Sequence, residues 1–216
     1  MRAAMHLARL HDATQYRLKR LLELYRASDK ISNREKSVHL SYIAVELDNL
    51  NISALREFTI STIRRAKSVS GQRINVSVSL GPEEEIGAYI LSVQNSVKFK
   101  NMKNPSSVAR TDEPTIRDPK ETEKILINCN ASNLPSLQNA LALNLSLFRD
   151  VKFFRHFYAH RSKDTFSKVV ANAAKMGIYN PHHPDDVLLH VLPGSSQSVV
   201  EDWLNDAQTF YELLMH

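Results

Sequence analysis

Cysteine occurs once in this chain, at Cys129, among 216 residues. An intramolecular disulfide is thereby excluded, as is a zinc site built on paired thiolates. A reducing compartment fits, so the expected location is cytoplasmic. Glycine and proline are scarce as well, at five and eight residues, and long stretches contain neither. That scarcity predicts helices joined by few loops. It also leaves no glycine-rich cradle for phosphates and no Gly-x-Ser-x-Gly turn for a serine nucleophile. No apolar run approaches the ~18 residues that a membrane span needs, so no membrane partner is expected. Carboxylates are not clustered as a two-metal nuclease requires. They gather at helix starts, and none lies between Asp150 and Asp164.

Positive charge is in modest excess, a net +5, which favours a polyanionic partner. The length suits one helical domain over 1–216 with a sizeable core. The N-terminus is basic and amphipathic but lacks the serine enrichment of a transit peptide. It reads straight into a helix carrying Glu23, so it is taken as the first helix of the fold.

Taken in order, apolar residues at helical spacing (Leu7, Leu10, Leu18, Leu21, Leu22, Tyr25) predict a helix from about Arg2 to Ala27, ended by Ser28-Asp29-Lys30. Ser32 and Glu35 form a capping box for a second helix near thirty residues long, whose stripe is Leu40, Ile43, Leu47, Leu50, Ala54 and Phe58. Its basic end at Arg64-Arg65-Lys67 suits the negative pole of the helix dipole. Residues 72–80 alternate, as in a short strand or an extended loop. Gly81-Pro82 followed by three glutamates starts another helix, and the acid run is read as a helix terminus rather than a ligand set. Residues 101–117 form the most loop-like part, with Lys103, Arg110 and Arg117 among its cations. Asp118–Glu121 and Asn133-Leu134-Pro135 open two further helices. The second carries Leu137, Leu141, Leu145 and Phe148 toward residue 153, continuously or with a break at Arg149-Asp150. A helix over 163–176 stops at Gly177, Pro181-His182-His183-Pro184 turns, and Ser198 with Glu201 caps the last helix.

The densest chemistry lies in Phe153-Phe154-Arg155-His156-Phe157-Tyr158-Ala159-His160-Arg161. Two imidazoles and two guanidiniums are interleaved there with aromatic rings. On a helix, His156 and His160 share a face one turn apart. Arg155 lies well around the helix from His160, but its long side chain reaches toward the same cleft. Two other Arg–His pairs have similar spacing, Arg34 to His39 and Arg149 to His156. Only Arg155–His160 combines an apolar helix leading in, a polar residue after the Arg, and aromatics packing the same turn.

With activated nucleophiles, phosphate loops and carboxylate clusters excluded, acid–base chemistry by imidazole with charge stabilisation by guanidinium remains. That set suits RNA cleavage by the substrate's own 2′-hydroxyl. His160 moves a proton, Arg155 holds the phosphate, and His156 is a second proton-transfer group or orients the other two. Arg161 and Lys163 are assigned to substrate binding. No cofactor and no metal is expected. A metal shared by His156 and His160 is the rival enzyme reading, but it lacks the Glu of a His-Glu-x-x-His site and an evident third ligand. His182 and His183, neighbours on a proline-bounded turn, are read as exposed.

Arg155, the polar His156 and His160 after four intervening residues resemble the catalytic motif of the HEPN superfamily, small helical proteins that include metal-independent ribonucleases. The resemblance extends to the all-helical pattern and to the run Ala159–Thr165, with residues 44–66 a weaker echo of the family's long second helix. It implies an all-α bundle with an up-and-down core plus additional helices and loops, and an endoribonuclease of toxin or phage-defence type. It also implies a homodimer lining one cleft with two motifs, and an antitoxin or defence-complex partner. Glu46 on the second helix is a candidate neighbour of the site. Two residues after the motif His, where one toxin branch carries a tyrosine that a partner enzyme adenylylates, this chain has Ser162. A non-catalytic helical module that binds nucleotide or protein at the same basic site is the alternative.

Overall fold

A computed structural model describes residues 5–102 and 106–216. Arg2, the expected start of the first helix, and Lys103 of the basic loop lie outside the described residues. The fold is all-α. The helices are α1 (Leu7–Ala27), α2 (Asn33–Ile63), α3 (Glu83–Gln94), α4 (Ser96–Lys100), α5 (Pro119–Asn128), α6 (Leu134–Leu141), α7 (Leu147–His160), α8 (Lys163–Lys175), α9 (Pro184–Leu188) and α10 (Val199–Met215). Among the described residues there is no strand, and no helix is long and apolar enough to cross a membrane.

Local chemistry sets most boundaries. The Ser32 amide donates to Glu35 Oε2 at 3.0 Å and the Glu35 amide to Ser32 Oγ at 3.4 Å, which is the reciprocal capping box. Asp118 and Glu121 do the same for α5, with Pro119 in its first turn. Gly177, at φ 81°, ends the α8 segment where a Cβ would be strained. Along α2 the residues Leu40, Ile43, Leu47, Leu50, Ala54 and Phe58 are all fully buried. Burial then spreads around the whole helix over 54–63, so polar side chains (Thr59, Ser61, Thr62) are enclosed as well.

The chain packs as two compact units, one comprising 1–14, 52–144 and 210–216, the other 15–51 and 145–209. In the first, the alternating segment 72–80 is an extended loop. Ile74 and Val76 point inward, while the backbone bonds to other loops, as in Ser77 N–H to Cys129 O at 2.8 Å. The same unit holds a largely buried polar cluster. Arg56 donates to Glu113 through Nε (2.7 Å) and Nη2 (2.9 Å), to Glu83 at 2.7 Å and to Glu57 at 3.0 Å. Glu83, read from sequence as part of a helix terminus, thus also closes this cluster. Gly87 is required by it, because a Cβ there would sit 2.7 Å from Glu113 Oε1.

In the second unit Leu18, Leu40, Leu47, Phe154, Trp203 and Leu204 are buried core residues. The Phe154 and Trp203 rings meet edge to face at 5.4 Å. Tyr25 and Ser198 hydroxyls bond at 2.7 Å, fastening α1 to the start of α10. The approach to the focal helix differs from both routes expected. α6 stops at Leu141 and α7 begins at Leu147, so the break precedes Arg149-Asp150. Asn144 makes the turn at φ 50°, a conformation Asn tolerates better than most residues. Asp150 falls in the first turn of α7, where the dipole favours a carboxylate. The turn after Pro181 also does more than expected, opening the short helix α9.

Candidate functional site

Helix α7 places the focal residues by its amphipathic pattern. Leu147, Val151, Phe154 and Tyr158 are buried at helical spacing, which turns His156 and His160 outward. Tyr158 is anchored by donating its hydroxyl to Asp185, at the start of α9. Burial and the neighbouring Asp185 carboxylate push that phenol well above its ordinary range, so it stays neutral. Phe157 packs against Phe166 of α8 at 5.9 Å and against His183 at 5.7 Å between ring centres.

His156 and His160 come together as their spacing demands, with ring centres 4.6 Å apart and planes at 66°. Both are exposed, at the end of α7. Arg155 stands differently. Its Nε lies 3.8 Å from Asp48 Oδ2, within ion-pair reach but too long for a hydrogen bond. That Nε is buried without a hydrogen-bond partner, whereas the side chain as a whole is 37% exposed. The guanidinium is therefore held at its root by a carboxylate, with part of its length at the surface.

Asp48 is the residue that sequence reasoning missed. It is completely buried on α2, where the candidate named was Glu46. Two residues on a helix project roughly 200° apart, so the turn that presents Asp48 to Arg155 sends Glu46 elsewhere. Glu46 instead accepts a hydrogen bond from Arg17 at 2.8 Å. A polar residue within an apolar stripe was the available signal, but it did not say which helix it faces.

Arg161 follows α7 in the left-handed conformation, φ 46° and ψ 40°. For a residue with a Cβ this is strained by about 1–2 kcal/mol. It reverses the chain so that Ser162 caps α8, its Oγ accepting from the Thr165 amide at 3.2 Å. Arg161 and Lys163 are both exposed on this turn. His156, His160, Arg161 and Lys163 thus lie exposed along one helix end and the turn after it, with Arg155 further up α7 beside Asp48. The nearest acid downstream, Asp164, is paired with Lys168 at 2.7 Å.

Of the other Arg–His spacings, that of Arg149 is engaged elsewhere. Arg149 donates twice to its neighbour Asp150, at 2.8 and 3.1 Å. His183 spends Nδ1 on capping α9, accepting from the Asp185 amide at 3.2 Å. Among the described residues, neither the His156–His160 pair nor the His182–His183 pair joins a third metal-ligating side chain. One three-residue group does form, from His11, Glu212 and His216. No family model, no curated protein and no solved structure matches the chain.

Proposed function

We propose that this chain is a metal-independent endoribonuclease of HEPN type, a toxin or defence effector, with Arg155, His156 and His160 as its catalytic residues. The observation that carries this reading is the end of α7. Two exposed imidazoles 4.6 Å apart share a short run with an arginine steadied by a buried carboxylate.

Such a set can run an in-line transfer at phosphorus. One imidazole takes the proton from the 2′-hydroxyl, whose oxygen bonds to phosphorus as the bond to the 5′-oxygen breaks. The other imidazole gives its proton to the departing 5′-oxygen. Arg155 neutralises the charge that grows on the non-bridging oxygens. The products are a 2′,3′-cyclic phosphate and a free 5′-hydroxyl. Arg161 and Lys163 contact the flanking phosphates. The outward placement of both histidines supports a homodimer in which two copies of α7 together line the cleft. An antitoxin or larger defence assembly would restrain it.

Cleavage of total RNA by the wild-type chain, tested against His160→Ala and with chelator present, decides between this reading and a non-catalytic binding module. Binding without cleavage, or equal cleavage by both proteins, overturns it.

A further inference from the structure

His11, Glu212 and His216 converge in the first unit from opposite ends of the sequence. His11 Nε2 lies 2.6 Å from Glu212 Oε2, and His216 Nε2 lies 3.0 Å from Glu212 Oε1. One ligating atom from each residue falls within 4.8 Å of the other two. The two imidazole rings stand at 88° with centres 5.7 Å apart, and each meets a different oxygen of the carboxylate. Glu212 lies on the last turn of α10 and His216 directly follows that helix, four residues further on.

We propose that these three side chains form a site for a divalent transition metal of zinc type, bracing the first turns of α1 against the end of α10. Two imidazoles and one carboxylate are the donor set that zinc accepts, with water completing a tetrahedron. The other nitrogen of His11 is already held, Nδ1 lying 3.2 Å from Asp12 Oδ1. A carboxylate behind a ligating histidine orients the ring and raises its donor strength. His11 Nε2 faces the Glu212 carboxylate, where a cation shared by the two can sit, while Asp12 orients the ring from Nδ1. The side chain of His11 is only 15% exposed, whereas those of Glu212 and His216 are half-exposed. The metal would thus have one ordered ligand and an open path in. This site uses none of Arg155, His156 or His160, and its role is structural, so it stands apart from the cleavage chemistry.

The test is calorimetric titration of the metal-stripped full chain with zinc chloride, paired with thermal unfolding. One zinc per chain is expected, with Tm rising by about 5 °C or more once zinc exceeds its Kd a hundredfold. Glu212→Gln keeps the shape but loses the anionic ligand, and should weaken binding at least about tenfold. His216→Ala, at an exposed position, should do the same without unfolding the chain. Cobalt substituted for zinc should give the visible absorption of a tetrahedral site in the wild type alone. Equal zinc affinity in wild type and both variants, or no stoichiometric binding, overturns the proposal and leaves a hydrogen-bonded imidazole–carboxylate chain.

Discussion

The Nε of Arg155 approaches Oδ2 of Asp48 to 3.8 Å, joining the middle of α2 to the middle of α7. Asp48 is wholly enclosed and Arg155 partly open. If Arg155 meets a phosphate as proposed, an arginine tethered in this way does so at a smaller entropy cost than a free side chain. Asp48→Asn preserves shape but removes the charge. It should lower kcat for RNA cleavage by roughly tenfold, about 1.4 kcal/mol, with KM little changed. Steady-state kinetics on a short RNA check this; a rise in KM with constant kcat would assign the pair to substrate binding instead, and unchanged constants with a lowered unfolding midpoint would assign Asp48 to the fold alone.

The two histidines give a chemical prediction. His160→Ala should reduce cleavage by about 10²–10⁴-fold, the usual worth of a general acid–base group. Arg155→Ala should do comparable harm, with helical circular dichroism retained in both. Fragments should end in 2′,3′-cyclic phosphate, a 2′-deoxy sugar at the scissile position should abolish cutting, and excess EDTA should leave cutting intact. Mass spectrometry of the products reads the first directly.

Arg161 separates stability from substrate binding. Its left-handed backbone is the conformation glycine adopts freely. Arg161→Gly should therefore stabilise the chain by about 0.5–1 kcal/mol in urea unfolding. The same change removes a cation from the site and should weaken RNA binding, with a shallower salt dependence. A destabilised variant would show that the side chain, not the backbone, holds this turn.

The Arg56 cluster predicts the response to charge removal and to pH. Arg56→Met leaves Glu57 and Glu113 enclosed without their counter-ion, which should cost about 3–5 kcal/mol. Glu57 is held above its ordinary pKa by burial, opposed by Arg56. Its ionisation therefore works against folding, by an amount absent below its unfolded pKa and complete above its folded one. Glu57→Gln should accordingly be more stable than wild type at neutral pH, the gap closing as pH falls from the raised folded pKa toward the unfolded value of about 4.5 and gone below it. Glu83 has the opposite sign, since the Arg56 hydrogen bond lowers its pKa. Its contribution is present above its unfolded pKa and lost on acidification, weakly because it is 40% exposed. Denaturant midpoints of the two proteins at neutral and acid pH check the crossover.

The helices themselves were legible because their signals are local. Ser32 with Glu35, Asp118 with Glu121, and Gly177 mark ends through bonds made within a few residues. The stripe from Leu40 to Phe58 shows a period that only a helix buries. The closeness of His156 and His160 follows from helical geometry alone. The alternating segment 72–80 was ambiguous for the converse reason. Alternation reports which side chains point inward, while a strand needs a paired neighbour that local sequence does not name.

What the sequence by itself determined, then, is the helical class, most helix ends, and the presentation of two histidines on one face of α7. Tertiary structure alone decided that Asp48 rather than Glu46 meets Arg155, because the choice depends on how two helices are rotated against each other. It also decided that Arg56 gathers three glutamates, and that His11 meets Glu212 and His216 from the far end of the chain. Residues separated by dozens to hundreds of positions carry no mark of one another in a single sequence. Their meeting is fixed by the packing of apolar faces, which is satisfied only when the whole fold closes.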